Sequence, residues 1–377
     1  LNDIGGQGSR VLSASEATRE GIAVCTVEGR LAPQIGFRLE LPTGTWAQRY
    51  LQVGCGGLCG NINTTVRVAS GCKPLNTGAF AVASTDMGHQ ASDKTFGDDP
   101  QKRADFAHRS VHLTAVASKK LIAAFYGKHA EYAYFSGCSD GGREALVAAQ
   151  RYPDDFNGII AGAALNFQVQ KTLYHGWMAR SNIGPDGKPV LLASRLPLLH
   201  KAVLAKCDVL DGQIDGLIAD PRLCNFDPAS VQCTSSADTT NCLTQQEVAV
   251  VKRFYEGPKD PDSGERLIVG GPQPGSELAW AGVFVPVTAE QTVYSETAAS
   301  EAIRNMVFEN NPVAGFDLST LRFDKSTFDK LRPLHPLYDA TNPDLAPFAS
   351  RGGKLILWHG WADPNVSPLN TLAYHEA

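Results

Sequence analysis

The stretch Tyr134-Phe135-Ser136-Gly137-Cys138-Ser139-Asp140-Gly141-Gly142-Arg143-Glu144 decides the fold of this 377-residue chain. The aromatic run at 132–135 predicts a short β-strand, and the Ala- and Leu-rich residues 144–151 predict an α-helix. Between them, glycines on both sides of a serine allow a sharp backbone turn that larger side chains would obstruct. This order predicts a serine hydroxyl at the end of a strand, with a helix N-terminus beneath it.

Residues 137–141 fit the pattern G-x-S-x-G, which is typical of the nucleophile elbow of α/β-hydrolases. Ser139 is therefore the candidate nucleophile, and the first N–H groups of the following helix can stabilise a developing oxyanion. The alternative is a chance match, because short patterns with three small residues occur often. The flanking strand and helix favour catalysis.

Strand and helix signals alternate along the first part of the chain. Strands are predicted at 22–27, 35–41, 50–53, 80–84, 132–135, 158–162 and 354–358, and helices at 108–126, 144–151, 191–205 and 244–256. The alternation indicates a parallel sheet with crossover helices, and with the elbow it predicts an α/β-hydrolase fold. Residues 166–345, rich in Pro, Gly and Asp loops, predict a large inserted lid over the carboxyl edge of the sheet. Residues 1–165 and 346–377 then form the catalytic domain.

Composition restricts the possible partners and the compartment. Apolar residues make up 43% of the chain and the net charge is −5. The absence of a basic run argues against nucleic acid and anionic membranes as partners, and no apolar run is long enough to span a bilayer. Nine cysteines without a C-x-x-C pair favour disulfides over structural zinc, and hence a secreted or periplasmic protein. The spacing suggests the pairs Cys207–Cys224 and Cys233–Cys242, and leaves open the pairing of Cys25, Cys55, Cys59 and Cys72.

A glycine-rich segment at 54–60 follows the predicted strand at 50–53. Such a segment can cradle a phosphate, but no G-K-[ST] follows it here. It can also be a tight turn held by cysteines. In a hydrolase the same feature is the oxyanion loop that supplies the second N–H donor, and Ser139 favours this interpretation.

The segment at 207–217 places three carboxylates on a short loop with two turn-forming glycines. Such a set of hard oxygen ligands suits Ca²⁺, although the spacing is not that of an EF-hand. We expect a structural Ca²⁺ ion held by the side chains of Asp208, Asp211 and Asp215, and by the backbone carbonyls of Gln213 and Leu217. The alternative is a solvated acidic turn.

The residues after the predicted strand at 354–358 contain the candidate catalytic acid. Asp363 fits a triad with the chain order Ser, Asp, His, although an Asp-Pro pair can simply begin a turn. The histidine base should follow a crossover helix and one more strand, and such a connection needs about a dozen residues or more. His375 lies where that helix should begin. We therefore expect the base beyond Ala377, with the C-terminal part of the catalytic domain missing from this sequence.

Together these residues resemble the tannase and feruloyl esterase family, which includes bacterial mono(2-hydroxyethyl) terephthalate hydrolases. The resemblance is carried by residues 50–60, 84–89, 137–144, 152–158, 207–228 and 358–364. It implies a serine carboxylic-ester hydrolase that acts through an acyl-enzyme on small esters of aromatic acids. The expected acyl groups are of the feruloyl, galloyl or terephthalate type, and no organic cofactor is needed.

The resemblance also implies roles for particular residues. The oxyanion donors would be the backbone N–H groups of Asp140 and of Gly56 or Gly57, and His359 would line the substrate pocket. The same Ca²⁺ ligands are implied, as is a disulfide between Cys138 and a cysteine directly after the catalytic histidine. Two other functions remain open, a lipase-like esterase and a non-catalytic binding protein on a hydrolase scaffold. An intact elbow and acid favour the enzyme.

Overall fold

The structure, a computed structural model, describes residues 1–66, 71–235, 238–310 and 317–377. These residues form two compact units. The first unit consists of residues 1–166 and 336–358, and the second of residues 167–335 and 359–377.

The first unit contains an eight-stranded sheet, counted over the described residues, with the order β1-β2-β3-β5-β4-β6-β7-β8. Its strands are β1 (Arg10–Arg19), β2 (Ile22–Leu31), β3 (Ile35–Pro42), β4 (Arg49–Val53), β5 (Phe80–Thr85), β6 (Tyr132–Cys138), β7 (Gly158–Gly162) and β8 (Lys354–Trp358). In this order, β1, β2, β3 and β5 pair antiparallel with one another, whereas β5, β4, β6, β7 and β8 pair in parallel. The predicted parallel sheet is thus mixed, because the short connections within β1 to β3 permit only antiparallel pairing.

Helices accompany the sheet and make up most of the regular structure of the second unit. They are α1 (Asn2–Gly5), α2 (Lys73–Asn76), α3 (Pro100–Ala104), α4 (Ser110–Tyr126), α5 (Asp140–Arg151), α6 (Gln168–Ser181), α7 (Leu196–Cys207), α8 (Gln245–Glu256), α9 (Tyr294–Asn305), α10 (Lys325–Lys330), α11 (His335–Tyr338), α12 (Ala346–Ser350) and α13 (Pro368–Glu376). Within the described residues, no helix combines the length and the apolar character that a bilayer crossing requires.

Several predicted elements have different bounds in the structure. The predicted helix at 144–151 begins four residues earlier, at Asp140, directly after the turn at Ser139. The predicted helix at 108–126 corresponds to α4, which follows a π-helical turn at Asp105–Arg109. The strand β1 was not predicted, because its side chains are almost all exposed and its sequence lacks the apolar alternation of a half-buried strand.

The residues after β8 do not group with the sheet unit, to which the sequence assigned 346–377. The Tyr174 hydroxyl donates to the Pro364 carbonyl at 2.8 Å, and the Ser367 hydroxyl donates to the Gly271 carbonyl at 3.1 Å. These contacts attach residues 359–377 to the second unit. The functional assignment of 166–345 as a lid stays a prediction.

Candidate active site

Ser139 occupies the strained turn that its sequence predicts. It lies between the last residue of β6 and the first residue of α5, with φ 63° and ψ −117°. Such a backbone conformation is rare for a residue with a Cβ atom and persists only where neighbouring structure imposes it. Here the N–H of Ser139 donates to the Gly162 carbonyl and its own carbonyl accepts the N–H of Leu165, both at 3.0 Å. The turn is therefore fixed on both sides by the end of β7 and the residues after it.

Glycines around Ser139 allow backbone segments to touch. A Cβ atom added to Gly137 would lie 2.2 Å from the Gly141 carbonyl oxygen. One added to Gly142 would lie 2.4 Å from the Gly162 carbonyl oxygen. No real Cβ atom approaches backbone so closely, so α5 can pack this tightly on β6 and β7 only with glycine at these positions.

The glycine-rich segment after β4 lies against the start of α5. The N–H of Gly141 donates to the Cys55 carbonyl at 2.8 Å, and a Cβ atom on Gly54 would lie 2.7 Å from the Gly141 Cα. We call residues 54–60 the oxyanion loop, after the role that the sequence predicts for them. The structure thus brings the loop that carries Gly56 and Gly57 to the same helix N-terminus as Asp140, whose N–H has no acceptor inside the helix. Their roles as oxyanion donors stay predictions.

A buried ionic group, not predicted from the sequence, supports this helix N-terminus. Asp140 and Arg143 are fully buried and form two hydrogen bonds, at 2.8 and 3.1 Å. Arg143 also donates to the carbonyls of Phe106 and Ala107. Glu144, one turn after Asp140 and also buried, accepts the N–H of Cys55 at 2.9 Å.

Cys55 and Cys59 form a disulfide that closes the oxyanion loop. Their spacing of four residues was the only sequence signal for this pair. For the carboxylates the signal was the spacing of Asp140 and Glu144, which places both on one face of a helix. Neither spacing indicates which other segment of the chain these side chains contact.

Asp363 and His359 lie in the second unit and contact each other. The His359 Nε2 atom is 3.2 Å from Asp363 Oδ2 and 3.0 Å from the Val366 carbonyl, so Nε2 carries the proton and donates. The His359 Nδ1 atom then accepts from the Thr371 hydroxyl at 2.7 Å. Asp363 Oδ1 accepts two backbone N–H groups, from Asn365 and Val366. The acid is thus held in a fixed orientation. The predicted roles of Asp363 as triad acid and of His359 as pocket residue are not tested by these contacts.

The candidate calcium loop is compact and held by its own carboxylates. Asp208 is buried and accepts the N–H groups of Asp215 and Gly216, and Asp211 accepts the N–H of Gln213 at 2.9 Å. The disulfide Cys207–Cys224 closes the segment, as the spacing suggested. The donor set consists of hard oxygen atoms on one short loop, which are the ligands that Ca²⁺ prefers, and the calcium site itself stays a prediction.

The second predicted disulfide, Cys233–Cys242, also forms. Cys207–Cys224 encloses the loop of three aspartates, and Cys233–Cys242 precedes α8. With Cys55–Cys59, these are the disulfides in the described part of the chain. Disulfides persist mainly in oxidising compartments, and this agrees with the cysteine argument from the sequence.

A sheet with this strand order and a serine on a strained turn between a strand and a helix defines the α/β-hydrolase fold. The comparisons with known proteins are more specific. The chain belongs to the tannase and feruloyl esterase family, since the model of "Tannase and feruloyl esterase" matches residues 15–377.

Individual relatives agree with this membership. An uncharacterized esterase of Xanthomonas campestris pv. campestris is 36% identical over 94% of this chain, which spans 63% of that protein's length. The mono(2-hydroxyethyl) terephthalate hydrolase of Piscinibacter sakaiensis is 30% identical over 96% of this chain and 71% of its own length. The crystal structure of feruloyl esterase B from Aspergillus oryzae aligns with a TM-score of 0.83 at 26% identity, covering 98% of this chain and 75% of that chain.

Proposed function

We propose that this chain is a serine esterase that hydrolyses small esters of aromatic acids through an acyl-enzyme. The observation that carries the proposal is Ser139 on its strained turn, beside the oxyanion loop. The names of the relatives support an ester substrate with an aromatic acid, because they include a feruloyl esterase and a mono(2-hydroxyethyl) terephthalate hydrolase.

In the proposed reaction, a histidine base takes the proton of Ser139 as its Oγ attacks the ester carbonyl carbon. The N–H groups of Asp140 and of Gly56 or Gly57 stabilise the oxyanion, and collapse of the intermediate releases the alcohol. Asp363 orients the base and stabilises the imidazolium. Water then attacks the acyl-enzyme and releases the aromatic acid, so that Ser139 recovers its proton.

Two further features belong to the proposal. A Ca²⁺ ion bound by Asp208, Asp211, Gln213, Asp215 and Leu217 would be structural and would take no part in the chemistry. We also propose that the protein acts outside the reducing cytosol, a proposal that the disulfides support.

The test is hydrolysis of ethyl ferulate, methyl gallate and mono(2-hydroxyethyl) terephthalate by the full-length protein. The expected result is turnover of at least one of these esters, and loss of nearly all of it in Ser139→Ala. A simple aliphatic ester such as a tributyrin emulsion serves as the comparison for a lipase-like enzyme. Binding of these esters without turnover would contradict the proposal and favour a binding protein. Full activity of Ser139→Ala would refute the nucleophile.

A further inference from the structure

Behind the oxyanion loop, four side chains from two chain segments lie close together. They are Cys55, Cys59, Asp140 and Glu144, whose sulfur and carboxylate oxygen atoms all lie within 4.8 Å of one another. The two sulfurs are bonded to each other, so they are not available as thiolate ligands for a metal. The cluster is therefore not a thiolate metal site, and the contacts of Glu144 indicate that it holds the oxyanion loop.

Glu144 holds the peptide that precedes the proposed donor residues. Its Oε1 atom accepts the N–H of Cys55 at 2.9 Å, while the carbonyl of Cys55 accepts the N–H of Gly141 at 2.8 Å. Helix α5 thus fixes Cys55 through both of its backbone polar groups. Because Gly56 and Gly57 follow at once, and the disulfide to Cys59 closes the loop behind them, their N–H directions depend on this anchor.

The charges around Glu144 favour its neutral form. Arg143 on the same helix directs its hydrogen bonds to Asp140 and to two backbone carbonyls, and not to Glu144. On the loop that packs against Glu144, the Cys55 and Cys59 side chains carry no charge, because their sulfur atoms form a disulfide. Burial, and then the charge of Asp140, raise the pKa of Glu144 to about 8, against the opposing effects of the Cys55 N–H and Arg143.

The disulfide gives a second, geometric reason. Glu144 Oε1 lies 2.9 Å from the Cys55 sulfur atom, which has no proton to donate when it is part of a disulfide. Two groups that only accept hydrogen bonds would repel each other at this distance. Protonation of Glu144 weakens this repulsion because it removes the negative charge, and since Oε1 already accepts the N–H of Cys55, the proton lies on Oε2.

We propose that Glu144 is a positioning residue for the oxyanion loop and that it acts in its neutral form. This inference deepens the proposed esterase function and rests on it. A neutral Glu144 anchors Cys55 without adding negative charge beside the position where the oxyanion forms. An ionised Glu144 would still accept the N–H of Cys55, but its charge would oppose the developing oxyanion.

The charge state can be measured without any activity, by comparing the melting temperatures of the wild type and Glu144→Gln between pH 5 and pH 9. A buried acid with a raised pKa keeps its proton in the folded state after the unfolded chain has lost it. The wild type should therefore lose stability relative to Glu144→Gln as pH rises from about 4.5 towards about 8. The exposed Glu16→Gln is the control and should follow the wild type. Parallel curves for the wild type and Glu144→Gln would overturn the neutral form.

The positioning role has its own measurement, because Glu144→Met fills a similar volume but cannot accept a hydrogen bond. Hydrogen exchange in the peptide covering residues 50–60 should be faster in Glu144→Met than in the wild type, whereas Glu144→Gln should protect it as the wild type does. Unchanged exchange in Glu144→Met would overturn the anchoring of Cys55.

Steady-state kinetics test whether the hydrogen bond between the Cys55 N–H and Glu144 supports the reaction. Glu144→Met should lower kcat by about 10- to 100-fold with little change in KM, because substrate binding does not need the oxyanion donors. Glu144→Gln should restore kcat and keep kcat/KM high above pH 8, where the wild type declines. A folded but inactive Glu144→Gln would overturn the proposal. An inactive wild type would instead refute the esterase function, and the melting and exchange results would still decide the state and role of Glu144.

Discussion

At the scale of single residues, the backbone of Ser139, the proposed nucleophile, has a conformation that is costly for the fold. Its φ of 63° with ψ −117° is a conformation that glycine adopts freely and a serine does not. Hydrogen bonds to Gly162 and Leu165 impose it, and holding a side chain there costs about 1–3 kcal/mol. In the proposed reaction, this turn would present the Ser139 hydroxyl to the ester.

This strain predicts that Ser139→Gly is more stable than Ser139→Ala, although both lack the proposed nucleophile. Glycine relieves the strain but gives the unfolded chain about 0.4–1 kcal/mol of additional entropy. The expected net gain is about 1 kcal/mol, measured by denaturant unfolding of the two variants and the wild type. If Ser139→Gly unfolds at the same or a lower denaturant concentration than Ser139→Ala, the turn is not strained.

The sequence predicted the turn at Ser139 because its motif is local, whereas the proposed role of Glu144 depends on a distant contact. Glu144 lies 89 positions from Cys55, and no local pattern predicts that the two meet. The same limit applies to Cys55 and Cys59, whose pairing the sequence left open. A local motif predicts the chemistry of the residues in one turn. Which other segments pack against that turn can be seen only in the structure.

At the scale of elements, α8 illustrates a helix whose start is specified by its own sequence. Thr244 accepts the N–H of Glu247 at 3.2 Å, and Glu247 accepts the N–H of Thr244 at 2.7 Å, which forms a capping box. Arg195 also donates to Glu247. The sequence placed this helix at 244–256, and the structure begins it one residue later, after the cap.

Removing the cap should destabilise the second unit without affecting the turn at Ser139. Thr244→Ala leaves the N–H of Glu247 without its acceptor and should cost about 1 kcal/mol, or roughly 2–4 °C in melting temperature. Thr244→Ser keeps the hydroxyl and is the matched control, expected to melt with the wild type. Equal melting of the Ala and Ser variants would show that the cap contributes nothing.

The elements predicted best are those with a continuous apolar run between clear turns. β7 and β8 have the bounds that the sequence predicted, Gly158–Gly162 and Lys354–Trp358. The helix α6 was not predicted, although it is almost wholly buried, because its polar and apolar residues show no helical periodicity. Tertiary packing rather than amphipathic pattern specifies such a helix.

At the scale of the whole molecule, the chain forms two compact units, each with its own covalent constraints. The disulfide Cys55–Cys59 lies in the first unit, and Cys207–Cys224 and Cys233–Cys242 lie in the second. The sequence predicted a catalytic domain of residues 1–165 and 346–377 and a lid of residues 166–345, because the strand pattern stops near residue 165. It placed residues 359–377 with the sheet, since the hydrogen bonds that attach them to the second unit join positions about 100 or more apart.

The stability of the second unit should depend on Ca²⁺, because the ion would bind its folded loop and not the unfolded chain. At a hundredfold excess over the dissociation constant, such binding contributes about 2.7 kcal/mol. Exhaustive chelation should therefore lower the melting temperature by roughly 5 °C or more, and added CaCl₂ should restore it, whereas MgCl₂ should not.

Asp211→Asn should abolish the response to Ca²⁺, because it removes one of the three negative charges on the loop. The exposed Asp262→Asn, outside the loop, is the matched control and should respond as the wild type does. A melting temperature unchanged in protein shown by elemental analysis to be metal-free would leave the aspartates as caps for the loop's own N–H groups, the role they already have in the structure.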